Sequence, residues 1–295
     1  PGTPVGTAVR MMPAPETPKS KADDTDAEYM AAVEAGDMET AQTMVDEAAK
    51  AAGYNNVGLH GTNAHAYSPG ETITVFNTRP MSGRGAAFFT SSDNLAGEYG
   101  QKVYRTYLKL TNPLAVNVDG QHWSNLAPDT KVNANVTSEL AVKKEKTKEG
   151  LNKIMFDLFG EEPSAFDPAK IKVESLSDIT GEGGHMETDQ VAKKARSLGY
   201  DGVIFKGVKD SPTAGSFYAH EPSDVFAVFN PNQIKSADPI TRDAAGNVIP
   251  LSQRFNPESP SILYAAPIDT STLPTRDPAS GENVPDREAG SSENA

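Results

Sequence analysis

The chain has 295 residues, a formal net charge of −13 and no cysteine. An acidic surface repels phosphate backbones, so general nucleic-acid binding is not expected, and the lack of cysteine excludes disulfides, cysteine metal sites and thiol nucleophiles. No apolar run approaches the roughly 20 residues of a membrane-spanning helix, so no membrane partner is expected, and no metal site is predicted.

Composition divides the chain into five segments. Residues 1–25 and 267–295 are rich in proline and in small polar and charged residues. Such segments cannot bury enough apolar surface to offset the entropy of ordering, so both ends are predicted to be disordered. A helical hairpin is predicted over residues 26–53, in which Asp26 caps the first helix and Gly36-Asp37 separates the two. The main domain is predicted over residues 54–240, and a C-terminal extension over residues 241–266.

In the main domain the pattern changes from helical spacing to short strands. Strands are predicted at residues 57–60, 84–90, 101–110, 114–116, 201–206 and 224–229, whereas residues 71–76 fit either a strand or a loop edge. Helices are predicted at residues 94–99 and 137–159 and from a cap at Thr188 or Asp189 to Gly199, after a mobile loop at residues 178–185. This order indicates an α+β fold around a split or two-layer sheet, on which the hairpin packs.

The tripeptide His60-Gly61-Thr62 follows a predicted strand. A histidine at a strand end lies at the edge of the sheet, and the next glycine lets a planar ligand approach the backbone. A lone histidine is also common as a structural residue. The tripeptide alone therefore leaves both interpretations open.

Two aromatic side chains are placed to hold a flat ring. Phe88 lies in a predicted strand and Tyr99 on the helix that follows, so the pair can sandwich an aromatic ligand. The alternative is plain core packing, which is the interpretation favoured for the neighbouring Phe89. A third segment, residues 224–233, has the pattern of a core strand followed by a turn.

In order and spacing, these segments resemble the ADP-ribosyltransferase superfamily, on the side of the poly-ADP-ribose polymerases and diphtheria-like toxins. That family has a His-Gly-Thr or His-Gly-Ser step, a tyrosine in the next strand, a second tyrosine on the following helix, and a glutamate that opens a late strand. A narrower resemblance is to the transferase domain of polyvalent proteins of phages and conjugative elements. Its most specific match is Asn-Pro-Asn-Gln-Ile-Lys-Ser-Ala-Asp at residues 230–238, and residues 247–256 are its usual continuation.

The resemblance implies that NAD is the substrate and that five residues bind it. His60 is expected to hydrogen-bond the ribose on the adenosine side, and the backbone of Gly61, followed by Thr62, to hold the nicotinamide carboxamide. Phe88 stands at the position of the family tyrosine and Tyr99 at that of the second aromatic residue. The pair is expected to stack on the nicotinamide ring, which does not require a hydroxyl group.

The chain departs from the family at the catalytic glutamate. In-register alignment puts Val225 at that position, and Asp224, one residue earlier, would face the opposite side of a regular strand. A bulge would turn Asp224 into the cleft, so Asp224 is the first candidate for the catalytic acid and Glu221 the second. The carboxylate matters because cleavage of the glycosidic bond builds oxocarbenium character on the ribose. Ala96 also stands where the family has a serine.

The expected activity is transfer of ADP-ribose from NAD to a host macromolecule, with protein as the expected acceptor and free NAD hydrolysis as a variant. The alternative is a degenerate transferase fold that acts as a nucleotide-binding or interaction module, which the missing glutamate favours. A 2′-phosphotransferase acting on RNA is a third candidate, but the chain lacks an obvious basic constellation. The expected location is the cytoplasm of a bacterial host, after delivery with phage or plasmid DNA.

Overall fold

The computed structural model describes residues 21–63, 72–78, 85–159, 172–211 and 221–263. The C-terminal segment predicted to be disordered lies outside these residues. So does the N-terminal one, except for residues 21–25, which are helical. No helix in the described part of the chain is long and apolar enough to cross a membrane.

The described residues form six α-helices and eight β-strands. The helices are α1 (Lys21–Ala35), α2 (Met38–Ala51), α3 (Asp93–Tyr99), α4 (Ser138–Phe159), α5 (Leu176–Thr180) and α6 (Thr188–Ser197). The strands are β1 (Asn56–Thr62), β2 (Ala87–Thr90), β3 (Lys102–Leu108), β4 (Leu114–Asn117), β5 (Lys131–Asn133), β6 (Gly202–Val208), β7 (Ser223–Val228) and β8 (Ile234–Ser236).

The described strands belong to one mixed sheet in the order β5-β4-β6-β7-β2-β1-β3-β8. Neighbouring strands are antiparallel except for β4 and β6, which are parallel. In the middle of the sheet, β1 and β2 share a single residue pair, Leu59 with Thr90. The predicted α+β fold is therefore confirmed, and the predicted split falls at this junction within one continuous sheet.

Three buried clusters cover the sheet. One joins β4, β6 and β7 to α5 and α6 and includes the fully buried Val203, Phe205 and Val191. Another lies at the junction of the two halves, around Phe76 and Phe89. Full burial of one such side chain contributes about 1.5–3 kcal/mol, so these clusters hold the strands and the helices around the junction in place.

The helical hairpin packs on β3 through the third cluster, which includes Tyr29 and Tyr107. Asp37 caps α2 as predicted, because its Oδ1 accepts from the Thr40 backbone N–H at 3.0 Å. The predicted cap at Asp26 is wrong, because α1 is already helical at Lys21. The Asp26 carboxylate instead accepts from the backbone N–H and the hydroxyl of Ser252, at 2.9 and 2.6 Å, and so ties α1 to the C-terminal segment.

The predicted mobile loop at residues 178–185 is also partly wrong. Its first residues belong to the short helix α5, where the Asp178 carboxylate accepts from the backbone N–H groups of Glu174 and Ser175. The next helix, α6, has Glu187 as its N-cap. Asp189 is therefore not the cap but lies inside the first turn of α6, where the positive end of the helix dipole favours a negative charge.

Candidate active site

A cavity of about 520 Å³ lies where β1 and β2 meet, closed by α3, the first turn of α6 and the segment after β6. All five residues predicted to contact NAD line it. They are His60, Gly61, Thr62, Phe88 and Tyr99. The fold thus brings together side chains that are up to 39 positions apart because β1, β2 and α3 are consecutive elements that pack directly on one another.

His60 bridges the junction between the two halves of the sheet. Its backbone pairs with Tyr104 of β3, while its ring Nδ1 lies 2.8 Å from the Phe88 carbonyl oxygen in β2. Because a carbonyl oxygen only accepts, this contact requires a proton on Nδ1, which leaves Nε2 as the acceptor of the neutral ring. The ring also packs edge-on against Phe76, at 5.0 Å between ring centroids. The Phe88 carbonyl therefore holds the His60 ring in one orientation, and the ring also contributes to core packing against Phe76.

Gly61 is held against the backbone of α3. A Cβ built on Gly61 would lie 1.7 Å from the carbonyl oxygen of Ala96. The sequence pattern predicts that this glycine lets a ligand approach, and the structure adds a packing reason that holds without any ligand. Ala96 is itself fully buried and lines the cavity.

The aromatic residues divide between cavity and core. Phe89 is buried at 2% exposure, in line with the core packing expected from its sequence context. Tyr99 is the last residue of α3, and its side chain is exposed. Its hydroxyl donates to Asp210 Oδ1 at 2.8 Å and to the Ser211 carbonyl oxygen at 3.2 Å. Tyr99 therefore joins α3 to the segment after β6 and closes one side of the cavity.

Neither predicted catalytic carboxylate lines the cavity. Glu221 is exposed, and Asp224 Oδ1 accepts from the Gly207 backbone N–H at 3.1 Å. A bulge does occur here, but it lies on the neighbouring strand β6, between Phe205 and Val208. The bulge leaves the Gly207 N–H outside the ladder, and Asp224 satisfies it. Val225 stays in regular pairing with Thr90 and lines the cavity instead.

Three carboxylates that no sequence pattern connects with this site also line the cavity. They are Glu187 and Asp189 at the start of α6 and Asp210 after β6. No lysine or arginine is among its described lining residues, and the described part of the chain contains no cluster of three histidine or acidic side chains that could hold a metal ion. The cavity is therefore suited to a ligand that is neutral or cationic at its buried end.

Trp123, the single tryptophan of the chain, also lines the cavity. Its backbone carbonyl accepts from the Thr188 N–H at 2.9 Å, which fixes it beside the first turn of α6. Its indole Nε1 and the Asp189 Oδ1 are both buried without a hydrogen-bond partner. Buried polar atoms in native proteins are nearly always paired, so an unmatched donor and an unmatched acceptor on one cavity wall are unusual.

The His-Gly-Thr step thus lies at a central junction of an α+β sheet and lines a ligand-sized cavity. In the comparison with protein families, residues 59–242 match the model described as ADP-ribosyltransferase in polyvalent proteins. The match spans more than half of the chain, so the protein belongs to this family. No curated protein and no solved structure matches the chain.

Proposed function

We propose that this domain binds NAD in the cavity and transfers ADP-ribose to a host macromolecule, with protein as the expected acceptor. The observation that carries the proposal is the convergence of His60, Gly61, Thr62, Phe88 and Tyr99 on one cavity. Its volume of about 520 Å³ falls in the range of roughly 300–1,000 Å³ that is common for small-molecule sites. The membership in a transferase family is independent support.

The chemistry of the wall suits the nicotinamide end of NAD. The pyridinium ring is cationic before cleavage, and the ribose gains positive charge as the glycosidic bond breaks. A concave wall with carboxylates and aromatic rings, and without lysine or arginine among its described residues, stabilises both states. Water in place of a macromolecular acceptor gives NAD hydrolysis from the same site.

One observation favours a second function. Val225 occupies the cavity wall where the family has its glutamate, and Asp224 is engaged by the β6 bulge. A domain without a catalytic carboxylate would keep NAD binding but lose turnover, and would then act as a nucleotide-binding or interaction module. In either case we propose that it works in the cytoplasm of a bacterial host, after entry with phage or plasmid DNA.

The test is incubation with labelled NAD and host lysate, comparing wild type with His60→Ala. We expect label on host protein with wild type, and at least a tenfold loss of NAD affinity in the variant, measured by calorimetry. His185→Ala is the matched control, because His185 is exposed and does not line this cavity. Thermal melting checks the fold, since the His60 ring packs on Phe76. Unchanged NAD affinity in His60→Ala would refute the site, and binding without turnover in wild type would favour the module.

A further inference from the structure

Three carboxylates line the cavity, and their hydrogen bonds distinguish them. Asp210 Oδ1 already accepts from the Tyr99 hydroxyl and from the Ser211 N–H. Glu187 is exposed at the N-cap of α6. Asp189 differs from both, because its Oδ2 pairs with Lys193 Nζ at 3.1 Å while its Oδ1 is buried and accepts no hydrogen bond. Asp189 is thus the cavity carboxylate with an uncommitted, buried oxygen.

The second unmatched polar atom among the cavity residues, Trp123 Nε1, has the opposite character. Trp123 Nε1 can only donate, and Asp189 Oδ1, as an ionised oxygen, can only accept. Trp123 and α6 are held together by the hydrogen bond from the Thr188 N–H to the Trp123 carbonyl. A hydroxyl group is both donor and acceptor, so the hydroxyls of a ribose supply what the two atoms lack. A phosphate lacks the donor when ionised, and an aromatic ring lacks both.

We propose that Asp189 is the catalytic carboxylate of this domain and that Trp123 positions the same ribose of NAD through its indole N–H. The proposal rests on the proposed function, because it names the group that acts in that reaction. It also gives a physical reason for the valine at position 225, since a carboxylate from α6 takes over the task in the same cavity. Asp224 then keeps its structural task at Gly207.

The step balances in atoms and charge. The bond between the ribose anomeric carbon and the nicotinamide nitrogen breaks, its electron pair goes to that nitrogen, and nicotinamide leaves as a neutral molecule. The nucleophile of the acceptor forms the new bond to the anomeric carbon and loses its proton to the carboxylate or to water. Asp189 accepts a hydrogen bond from a ribose hydroxyl and offsets the positive charge that develops on the ring.

The experiment compares wild type with four variants in steady-state NAD turnover, measured as release of nicotinamide. One of the four is Asp224→Asn, which tests the first sequence-based candidate. Asp189→Asn should lower kcat by about 100-fold or more, with a KM for NAD close to that of wild type. Trp123→Phe keeps the aromatic ring and removes the N–H, so it should mainly raise KM. Lys193→Met is the matched control, because it removes the same ion pair without removing the carboxylate, and it should stay within threefold of wild type.

The outcomes separate this inference from the proposed function. Turnover by wild type that persists in Asp189→Asn would overturn the inference and leave the proposed function standing. A fall in kcat in Lys193→Met as large as that in Asp189→Asn would show that the ion pair supports α6 and that Asp189 is structural. A fall in kcat in Asp224→Asn, but not in Asp189→Asn, would show that the catalytic carboxylate is on β7. No NAD turnover and no NAD binding by the folded wild type would refute the proposed function, and the inference with it.

Discussion

Gly61 allows a test of whether packing or ligand access requires glycine in the His-Gly-Thr step. A Cβ at Gly61 would lie 1.7 Å from the carbonyl oxygen of Ala96 and 2.7 Å from its carbon. These are backbone atoms of α3, so no rotamer change can relieve the overlap and the helix has to shift. Overpacking of this kind costs typically 1–3 kcal/mol, and we expect Gly61→Ala to cost about 3 kcal/mol because only the backbone can move.

For a domain of this size, that loss corresponds to a fall of about 6–12 °C in Tm. The same shift displaces Tyr99, which ends α3 and lines the cavity, so NAD binding should weaken as well. Gly97→Ala is the control in the same helix, because a Cβ there has no heavy atom within 4 Å. Alanine is a better helix former than glycine by about 0.5–1 kcal/mol, so this variant should melt slightly higher and bind NAD unchanged.

The assays are thermal melting followed by circular dichroism, and NAD titration by calorimetry. If Gly61→Ala melts within about 1 °C of wild type, the packing argument is wrong. Lost NAD affinity at an unchanged Tm would assign the glycine to the ligand alone. If the Tm and the NAD affinity of Gly61→Ala fall together, and Gly97→Ala lowers neither of them, the close approach of β1 to α3 is the reason for the glycine.

Two further predictions concern buried cations outside the cavity. Lys235 is fully buried, donates to the carbonyls of Ser259 and Ser261, and has its pKa lowered by burial from 10.5 to about 8. Between these two pKa values the unfolded chain binds more protons than the folded one, so stability rises with pH. In urea titrations, the difference in the free energy of unfolding between wild type and Lys235→Met should increase by about 2 kcal/mol from pH 8 to pH 10. If that difference in the free energy of unfolding stays constant or falls over this pH range, this prediction is wrong. The buried guanidinium of Arg254 donates to three backbone carbonyls, so Arg254→Met should cost roughly 3 kcal/mol, whereas the exposed Arg242→Met should cost under about 0.5 kcal/mol. Similar urea midpoints for the two arginine variants would refute the role of Arg254.

Much of the fold was predictable because its signals are local. The strand pattern of β3, the Asp37 cap of α2 and the glycines that end helices all depend on neighbours in sequence. The structure departs from prediction where elements are short. α5 has five residues and β5 three, too few for a periodic pattern to appear. The predicted Asp26 cap was wrong because α1 already begins at Lys21, and the Asp26 carboxylate bonds Ser252, a partner far away in the chain.

The candidate site was predictable on one side only. His60, Phe88 and Tyr99 lie on consecutive elements, so their order in sequence matches their convergence in space. Trp123 follows β4 and Asp189 opens α6, and only the parallel pairing of β4 with β6 and the packing of α6 bring them to the same cavity. No local signal in the sequence connects these two residues to β1. The placement of Asp224 outside the cavity lining has the same origin, because the bulge whose Gly207 N–H donates to it lies on β6.

The position of Val225 bears on how a carboxylate acts in such a cavity. Its effect on a developing positive charge depends on distance and on the local dielectric, not on the strand or helix that carries it. On β7, the ladder pairing with β2 fixes the direction of the side chain at residue 225, and a buried carboxylate there would face an apolar cluster that includes Ala227 and Phe229. Asp189 instead lies in the first turn of α6, where the positive end of the helix dipole favours a negative charge. A carboxylate on α6 that lines the same cavity can therefore meet the electrostatic requirement of the proposed reaction without a carboxylate on β7.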